Sequence, residues 1–293
     1  MYDNLIGVID PIAFKLGPLT VRWYGVIIAF GIFVAIWLSI REAEKRGLTE
    51  DDIVDLALWM IPIGFIGARL YYVLFEIGYY VQHPLQIFAI WEGGIAIYGG
   101  LIAGALTLIW FCKKREIPIW LLLDIVAPTV LLAQAIGRWG NFINQEAHGT
   151  EVSRKFLESL HLPVFIINQM NIKGIYYHPT FLYESLWSLI GVVLLLAFRH
   201  RKKLFRRGEV ALSYVMWYSL GRFFIEGMRT DSLFVPGTPI RISQLLSVVL
   251  FIGAAGVIYY RRNYIYPPVP YYLEGIQPER AFAEKVHKKP SGQ

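Results

Sequence analysis

The chain has 293 residues, 56% of them hydrophobic and only 17% charged, whereas soluble domains carry about 25% charged residues. With so few charged residues, the chain could not cover the apolar core that its hydrophobic residues would form in water. The composition therefore predicts a membrane protein. The single cysteine excludes an internal disulfide framework and any metal site built from several cysteines. A formal charge of +6 fits nucleic-acid binding in principle, but the basic residues lie mainly between apolar segments, which is typical of membrane topology.

Seven apolar segments are long enough to cross a bilayer, which takes about 20 mainly apolar residues in a helix. They are 19–40, 53–75, 94–112, 119–136, 180–198, 209–226 and 242–260. We therefore predict an all-α, polytopic integral membrane protein in which residues 1–262 form one seven-helix transmembrane domain. Residues 150–177 are predicted to form a long external loop, and residues 263–293 a flexible cytoplasmic tail.

The distribution of lysine and arginine predicts the orientation of these spans. Basic residues cluster at 41–46, 113–115, 199–207 and 261–262, whereas the connection at 76–93 contains neither lysine nor arginine. Because cytoplasmic loops carry the excess of positive charge, the first, third and fifth loops and the C-terminal tail are predicted to be cytoplasmic. The N-terminus then faces outward. The basic runs act as topology determinants that contact anionic lipid head groups, and we expect no nucleic-acid partner.

With this orientation, most of the unexpected polar residues fall at one level, the outer membrane interface. They are Tyr24, Arg69, Tyr98, Arg138, His178, Tyr183, Glu184, Arg222, Glu226, Arg229 and Gln244. Ionisable residues in or beside spans are costly and usually mark a functional cavity. A structural alternative stays open, in which Arg222 and Glu226 form an internal ion pair and Arg229 or Arg138 reaches the head groups.

Four arginines at one depth favour an anion site over that alternative. They are Arg69, Arg138, Arg222 and Arg229. A guanidinium presents a planar fork of donors that suits phosphate oxygens, and the most abundant anion at this depth is a phospholipid head group. Nearby glycines such as Gly99 allow close backbone approach, either by a ligand or by a packed helix. No histidine or cysteine spacing indicates a metal site, so no metal is expected.

Six stretches of the sequence resemble the motifs of the prolipoprotein diacylglyceryl transferase family. "GRWGNFINQEAHG" (137–149) is similar to the signature of that family. The supporting stretches are "RWYG" (22–25), "GARLYYVLF" (67–75), "WEGGIAIYGGLIAG" (91–104), "HPTFLYES" (178–185) and "GRFFIEGMRTD" (221–231). They follow the order found in the family and extend over residues 17–260, so a chance match to the whole set is implausible.

The resemblance implies the first step of bacterial lipoprotein maturation. In that step a diacylglyceryl group moves from phosphatidylglycerol to the lipobox cysteine of an exported prolipoprotein, forming a thioether and releasing glycerol 1-phosphate. The expected location is the bacterial cytoplasmic membrane, with the site facing the outer leaflet, membrane lipids around it and no cofactor. A transporter or flippase of anionic lipids is the alternative, but it should show polar features at mid-membrane and an internal repeat, which we do not find. A non-catalytic scaffold leaves the arginines unexplained.

Residue roles follow from matching the motifs. Catalytic roles are expected for Arg138, Arg222, Tyr98 and Glu226; phosphatidylglycerol binding is expected for Arg138, Tyr24, Asn141, Asn144, Glu146, Arg222, Arg229, Arg69 and Gly99. Preorganised cations would stabilise charge on the departing phosphate. Asn141 and Asn144 would bond the glycerol hydroxyls or hold the loop, and Tyr24 would give a hydroxyl to the head group. Glu146 and Glu226 are expected to orient the arginines rather than act as bases.

Tyr98 departs from the family pattern, since several members carry histidine there as a candidate base. A phenol with a pKa of about 10 is a poor base at neutral pH unless nearby arginines lower that value. Two hypotheses remain open. Tyr98 is either a hydrogen-bond donor, with the thiol deprotonated through the positive field or by a carboxylate, or an activated phenolate; we favour the donor. His178 is a further candidate base, although its position before Pro179 equally suggests a structural role.

Overall fold

A computed structural model describes residues 8–17, 19–89 and 93–273 of the chain. The described part is mostly helical, as predicted, with short strands outside the long helices. Its elements in chain order are β1 (Ile12–Leu16), β2 (Leu19–Arg22), α1 (Trp23–Lys45), α2 (Glu50–Phe75), α3 (Ile77–Gln82), a 3-10 turn (Pro84–Phe88), α4 (Ile97–Arg115), α5 (Ile119–Asn144), β3 (Glu151–Val152), α6 (Arg154–Ser159), α7 (Val164–Gln169), β4 (Asn171–Ile172), β5 (Ile175–Tyr177), α8 (Thr180–Arg199), α9 (Glu209–Glu226) and α10 (Ile242–Asn263).

Six helices within the described residues are long and apolar enough to cross a membrane: α1, α2, α4, α5, α8 and α10. Their outer surfaces carry large exposed apolar side chains, such as Phe30, Phe33 and Trp37 on α1. Such surfaces are stable when lipid rather than water surrounds them. The multi-pass membrane architecture is therefore confirmed. Helix α9 has the bounds predicted for the span 209–226, but its 18 residues include three charged side chains, Glu209, Arg222 and Glu226, and it is not among these six helices.

The described residues divide into two compact units. Unit 1 holds residues 8–38 and 124–273, and unit 2 holds residues 39–123. In unit 2, α2 and α4 pack together, and α2 begins with a capping box in which Thr49 and Asp52 bind each other's backbone N–H groups. This box satisfies donors that the first turn of a helix leaves without partners.

The segment 150–177 is folded rather than a simple loop. Its three short strands form an antiparallel sheet in the order β3-β5-β4, and a second small sheet pairs β1 with β2. These sheets correct the all-α class in detail, since two- to five-residue strands are too short to produce a detectable alternation. Leu157 of α6 and Ile166 of α7 are buried against Phe142 and Phe181. Phe142 belongs to α5 and Phe181 to α8. The segment is thus attached to the outward-facing ends predicted for those helices.

The chain beyond α10 packs back onto unit 1. Tyr272 is only 2% exposed and lies against Leu131, Val192 and Val210, which belong to α5, α8 and α9. Its backbone N–H donates to the carbonyl of Phe205 at 2.7 Å. These contacts hold the chain at Tyr272, within the segment predicted to be a flexible tail, and the flexibility of residues 263–293 stays a prediction. The remainder of that prediction, residues 274–293, lies outside the described residues.

Candidate functional site

Glu184 is the centre of an arginine cluster in unit 1. It lies in the first turns of α8 and is only 7% exposed. One carboxylate oxygen lies 2.5 Å from Nη2 of Arg138 on α5. The other lies 3.3 Å from Nη1 of Arg222 on α9 and 3.5 Å from Nη1 of Arg229, three residues beyond α9. Three guanidinium groups from separate parts of the sequence therefore converge on one buried carboxylate.

Arg222 links this cluster to a second buried carboxylate. Its Nη2 lies 2.5 Å from Oε2 of Glu226, one turn further along α9, and Glu226 is only 2% exposed. The ion pair considered as a structural alternative thus exists. It does not stand alone, however, because the same arginine also contacts Glu184. Glu226 is therefore an ion-pair partner of Arg222, and its predicted orienting role stays a prediction.

Arg229 is held in a fork by Asp231. Its Nε and Nη2 donate to the two carboxylate oxygens at 2.9 and 2.6 Å. The hydrogen-bonded Arg229 guanidinium holds the pKa of the Asp231 carboxyl below its usual value. A lowered pKa favours the charged form of this carboxylate, so Asp231 is ionised and paired with Arg229 at neutral pH. The bidentate geometry therefore fixes the position of Arg229.

The stretch 137–149 supplies a chain of polar contacts next to Arg138. Nη1 of Arg138 donates to Oδ1 of Asn141 at 3.4 Å, and Nδ2 of Asn141 donates to Oε1 of Glu146 at 2.9 Å. Glu146 therefore acts on Arg138 through Asn141, consistent with an orienting role. Oδ1 of Asn144 is buried and accepts no hydrogen bond from the described residues. An unsatisfied buried acceptor is costly, so Asn144 has an unmet hydrogen-bonding capacity beside Arg138 and Asn141.

Tyr24 lies directly over the same stretch. A Cβ atom added to Gly140 would come within 2.6 Å of the Tyr24 ring, so the ring occupies the space that a side chain would need. Glycine at this position lets the first turn of α1 approach α5 closely. The predicted neighbours Tyr24, Asn141 and Arg138 are therefore brought together within unit 1.

Backbone contacts fasten the end of this stretch to the segments that carry Glu184 and Arg229. Gly149 forms an isolated bridge with Arg229, and its N–H donates to the carbonyl of His178 at 3.0 Å. The Thr180 hydroxyl donates to the carbonyl of Ala147 at 2.6 Å. Burial lowers the pKa of His178, so its ring is neutral at pH 7. These contacts favour the structural role for His178.

Among contacts with the described residues, the arginines do not use all of their donors. Each guanidinium has five N–H donors, whereas the contacts above give Arg138 and Arg222 two partner contacts each and Arg229 three. Their positions are fixed by carboxylates before any ligand arrives. Such a cluster can bind an oxyanion without a large rearrangement, which is the property needed to stabilise charge as it develops.

Arg69, in unit 2, has a different environment from the other predicted arginines. Its guanidinium is buried and donates to the carbonyls of Gln86, Ile87, Gly93 and Gly94 at 2.6 to 2.9 Å. These bonds hold the connection between α2 and α4 in place. The geometry therefore favours a structural role for Arg69, whose predicted role as a phosphate ligand stays a prediction.

Tyr98 and Gly99 lie at the start of α4, also in unit 2. Tyr98 is 38% exposed. Gly99 packs against Gly67 of α2: an added Cβ would lie 2.3 Å from the Gly67 carbonyl oxygen. Of the two uses open for Gly99, close helix packing is the one that the structure supports.

The structure thus joins most of the predicted residues by direct contacts in unit 1. These are Arg138, Asn141, Glu146, Arg222, Glu226 and Arg229, with Tyr24 beside them. Sequence reasoning placed Glu184 at the right level but gave it no role, although a carboxylate in an apolar span was the available signal. Asp231, which lies beyond the span, carried no comparable signal.

Comparisons with known proteins agree with the motif resemblance. A family model described as prolipoprotein diacylglyceryl transferase matches residues 11–260. A curated relative from Lactobacillus acidophilus, named phosphatidylglycerol–prolipoprotein diacylglyceryl transferase, is 58% identical over 268 residues, which is 92% of this chain and 95% of the relative. Relatives of the same name from Ligilactobacillus salivarius and Pediococcus pentosaceus are 56% and 55% identical, covering 92% and 93% of this chain and 100% and 97% of their own lengths. The chain belongs to the prolipoprotein diacylglyceryl transferase family.

Proposed function

We propose that the protein transfers the diacylglyceryl group of phosphatidylglycerol to the cysteine thiol of prolipoproteins at the arginine cluster around Glu184. The transferred group becomes a thioether, and glycerol 1-phosphate leaves. The relatives that share over half of the sequence are named for a transfer between these substrates. The observation that carries the location of the site is the convergence of Arg138, Arg222 and Arg229 on one buried carboxylate.

The chemistry requires a thiolate, an attacked glycerol carbon and a departing phosphate ester. The sulfur forms its bond to the glycerol carbon as the bond from that carbon to the phosphate oxygen breaks. Arg138 and Arg222 stabilise the negative charge that develops on the phosphate, because they are already fixed by Glu184 and Glu226. The same positive groups favour the thiolate over the thiol, whose pKa is about 8.5. Asn144 accepts from a glycerol hydroxyl through its free carbonyl oxygen.

The proposed topology has α9 as the seventh span, with the N-terminus outside and the C-terminus in the cytoplasm. The charges of α9 support this proposal because all three have partners inside unit 1. Glu209 binds Nε and Nη2 of Arg262 at 2.7 and 2.6 Å, while Arg222 and Glu226 bind each other. Paired charges that face protein are tolerated within a bilayer. The cluster then faces the outer leaflet of the bacterial cytoplasmic membrane, within a transmembrane catalytic domain that we assign to residues 1–262.

A direct assay tests the proposed function. Purified protein, phosphatidylglycerol and a lipobox peptide are expected to yield glycerol 1-phosphate and a peptide heavier by one diacylglyceryl group. A peptide with serine in place of the lipobox cysteine is the control, and it should give neither product. Lipid movement between leaflets without either product would indicate the flippase alternative and contradict the proposal.

Replacing Tyr98 tests which of its two hypotheses holds. If the hydroxyl only donates a hydrogen bond, Tyr98→Phe should lower transfer by about 3- to 10-fold, the value of one neutral hydrogen bond. Loss of a general base would instead cost about 10²- to 10⁴-fold. We expect the smaller effect, measured as initial rate of glycerol 1-phosphate release.

Tyr259→Phe is the matched control, because Tyr259 is an exposed residue of α10. Its rate should equal that of the unmodified protein. A loss above 100-fold in Tyr98→Phe, or a gain in Tyr98→His, would mark position 98 as a proton-transfer site and contradict the donor role.

A further inference from the structure

Trp187 of α8 and Trp217 of α9 form a reciprocal pair between the two helices. Their rings are stacked, with centroids 4.3 Å apart and planes inclined by 14°. The indole N–H of Trp187 donates to the backbone carbonyl of Trp217 at 2.9 Å, and the indole N–H of Trp217 donates to the carbonyl of Trp187 at the same distance. Both hydrogen bonds therefore form together in only one alignment of α8 with α9.

A glycine lies under each ring, one turn further along the opposite helix. A Cβ atom on Gly191 would come within 2.3 Å of the Trp217 indole nitrogen, and one on Gly221 within 2.3 Å of Trp187. Each tryptophan is thus followed four residues later by the glycine that receives its partner. Sliding α8 along α9 by the rise of one residue, about 1.5 Å, would misalign both hydrogen bonds and move each ring off the glycine beneath it.

Trp187 lies within one helical turn of the arginine cluster, and Trp217 lies five residues before Arg222. Glu184 precedes Trp187 by three residues, and Arg222 follows Gly221 directly. The contact between Glu184 Oε1 and Arg222 Nη1 measures 3.3 Å, so a shift of one residue along the helix axis would disrupt it. The relative register of α8 and α9 therefore determines whether the carboxylate and the guanidinium meet.

We propose that Trp187 and Trp217 are positioning residues, which fix the register of α8 against α9 and thereby hold Glu184 on Arg222. The predicted change in kcat rests on the proposed function, whereas the register of the two helices does not depend on that function. A generic apolar contact would not explain the pair. Apolar side chains gain no hydrophobic free energy when they leave lipid for a helix interface, whereas two indole N–H groups bonded to backbone carbonyls specify a single alignment.

The test is a double-mutant cycle between Trp217→Phe and Glu184→Gln, with kcat and KM for phosphatidylglycerol measured separately. Phenylalanine keeps an aromatic ring but removes the N–H donor. We expect Trp217→Phe to lower kcat by about 10- to 100-fold, the loss typical of a small misplacement of catalytic groups, with KM unchanged. If the pair acts through Glu184, Trp217→Phe should lower kcat no further once Glu184→Gln is present.

Trp187→Phe should reproduce these results, since the two indoles form one reciprocal pair of hydrogen bonds. Trp59→Phe is the control: Trp59 contacts Trp110 edge-on in unit 2, and its kcat should stay normal. Multiplicative losses in the cycle, or a normal kcat in both Phe variants, would overturn the proposal.

A spectroscopic measurement separates this proposal from the proposed function. In protein labelled with ¹⁵N-tryptophan, two indole N–H signals should resist exchange with deuterated solvent. Trp187→Phe should remove one of them and shift the other, since the stacked ring is lost. Absence of these paired signals would refute the register device even in an active enzyme. Their presence in a protein without transfer activity would leave the register intact and refute the proposed function alone.

Discussion

Arg138→Lys is expected to lower the rate of diacylglyceryl transfer by about 10²- to 10³-fold, the effect typical of losing one preorganised oxyanion donor. The Arg138 guanidinium contacts Glu184 through Nη2 and Asn141 through Nη1, and its remaining N–H groups are available to the phosphate. A lysine ammonium keeps the charge, but as a single point it cannot bind two protein partners and a phosphate oxygen in one plane. The loss should appear mainly in kcat, because the developing charge belongs to the transition state.

The control for this substitution is Arg154→Lys in the folded segment 150–177. Arg154 forms an exposed ion pair with Glu158 at 2.8 Å, and exposed pairs contribute little. Both variants should unfold at nearly the temperature of the unmodified protein, so that the loss is assigned to chemistry. Near-normal transfer by Arg138→Lys, with glycerol 1-phosphate as the readout, would remove Arg138 from the phosphate site.

The long helices were predictable from the sequence because each has its own apolar stretch. Helix α9 has the bounds expected for the segment 209–226, and α8 and α10 begin and end within three residues of their predicted spans. The strands of 150–177 and the packing of Tyr272 were not predictable. The strands are two or three residues long, too short for an alternating pattern, and Tyr272 binds Phe205, which is distant in the sequence; neither leaves a local periodic signal.

The candidate site was predictable in its residue types but not in its pairings. Arg69 and Arg138 had the same signal, a guanidinium at the outer end of an apolar span. The structure separates them, since backbone carbonyls surround Arg69 whereas Arg138 binds a shared carboxylate. Two of the carbonyls around Arg69 belong to Gly93 and Gly94, which both have a positive φ. Residue type and position in a span do not show whether an arginine will bind backbone carbonyls in this way or bind a ligand.

Glu184→Ala is expected to reduce both activity and stability, the latter by about 3–5 kcal/mol, the effect of removing one partner from a buried ion pair. The substitution leaves Arg138, Arg222 and Arg229 without their common carboxylate, so three guanidinium groups repel one another in a buried site. Thermal unfolding in detergent micelles measures the stability. Glu158→Ala is the matched control, because its exposed pair with Arg154 contributes little, and its unfolding temperature should stay within error.

Adding inorganic phosphate to Glu184→Ala tests whether the arginines form an oxyanion site. If the arginines form an oxyanion site, inorganic phosphate should occupy the space that the carboxylate leaves, and should stabilise Glu184→Ala more than the unmodified protein. A ligand that binds only the folded state at 100 times its Kd stabilises it by about 2.7 kcal/mol, so most of the loss is recoverable. Sodium chloride at equal ionic strength distinguishes binding from screening. Equal stabilisation of both proteins by phosphate would mean that Glu184 is only a structural counter-ion, and that the phosphate of the lipid is held elsewhere.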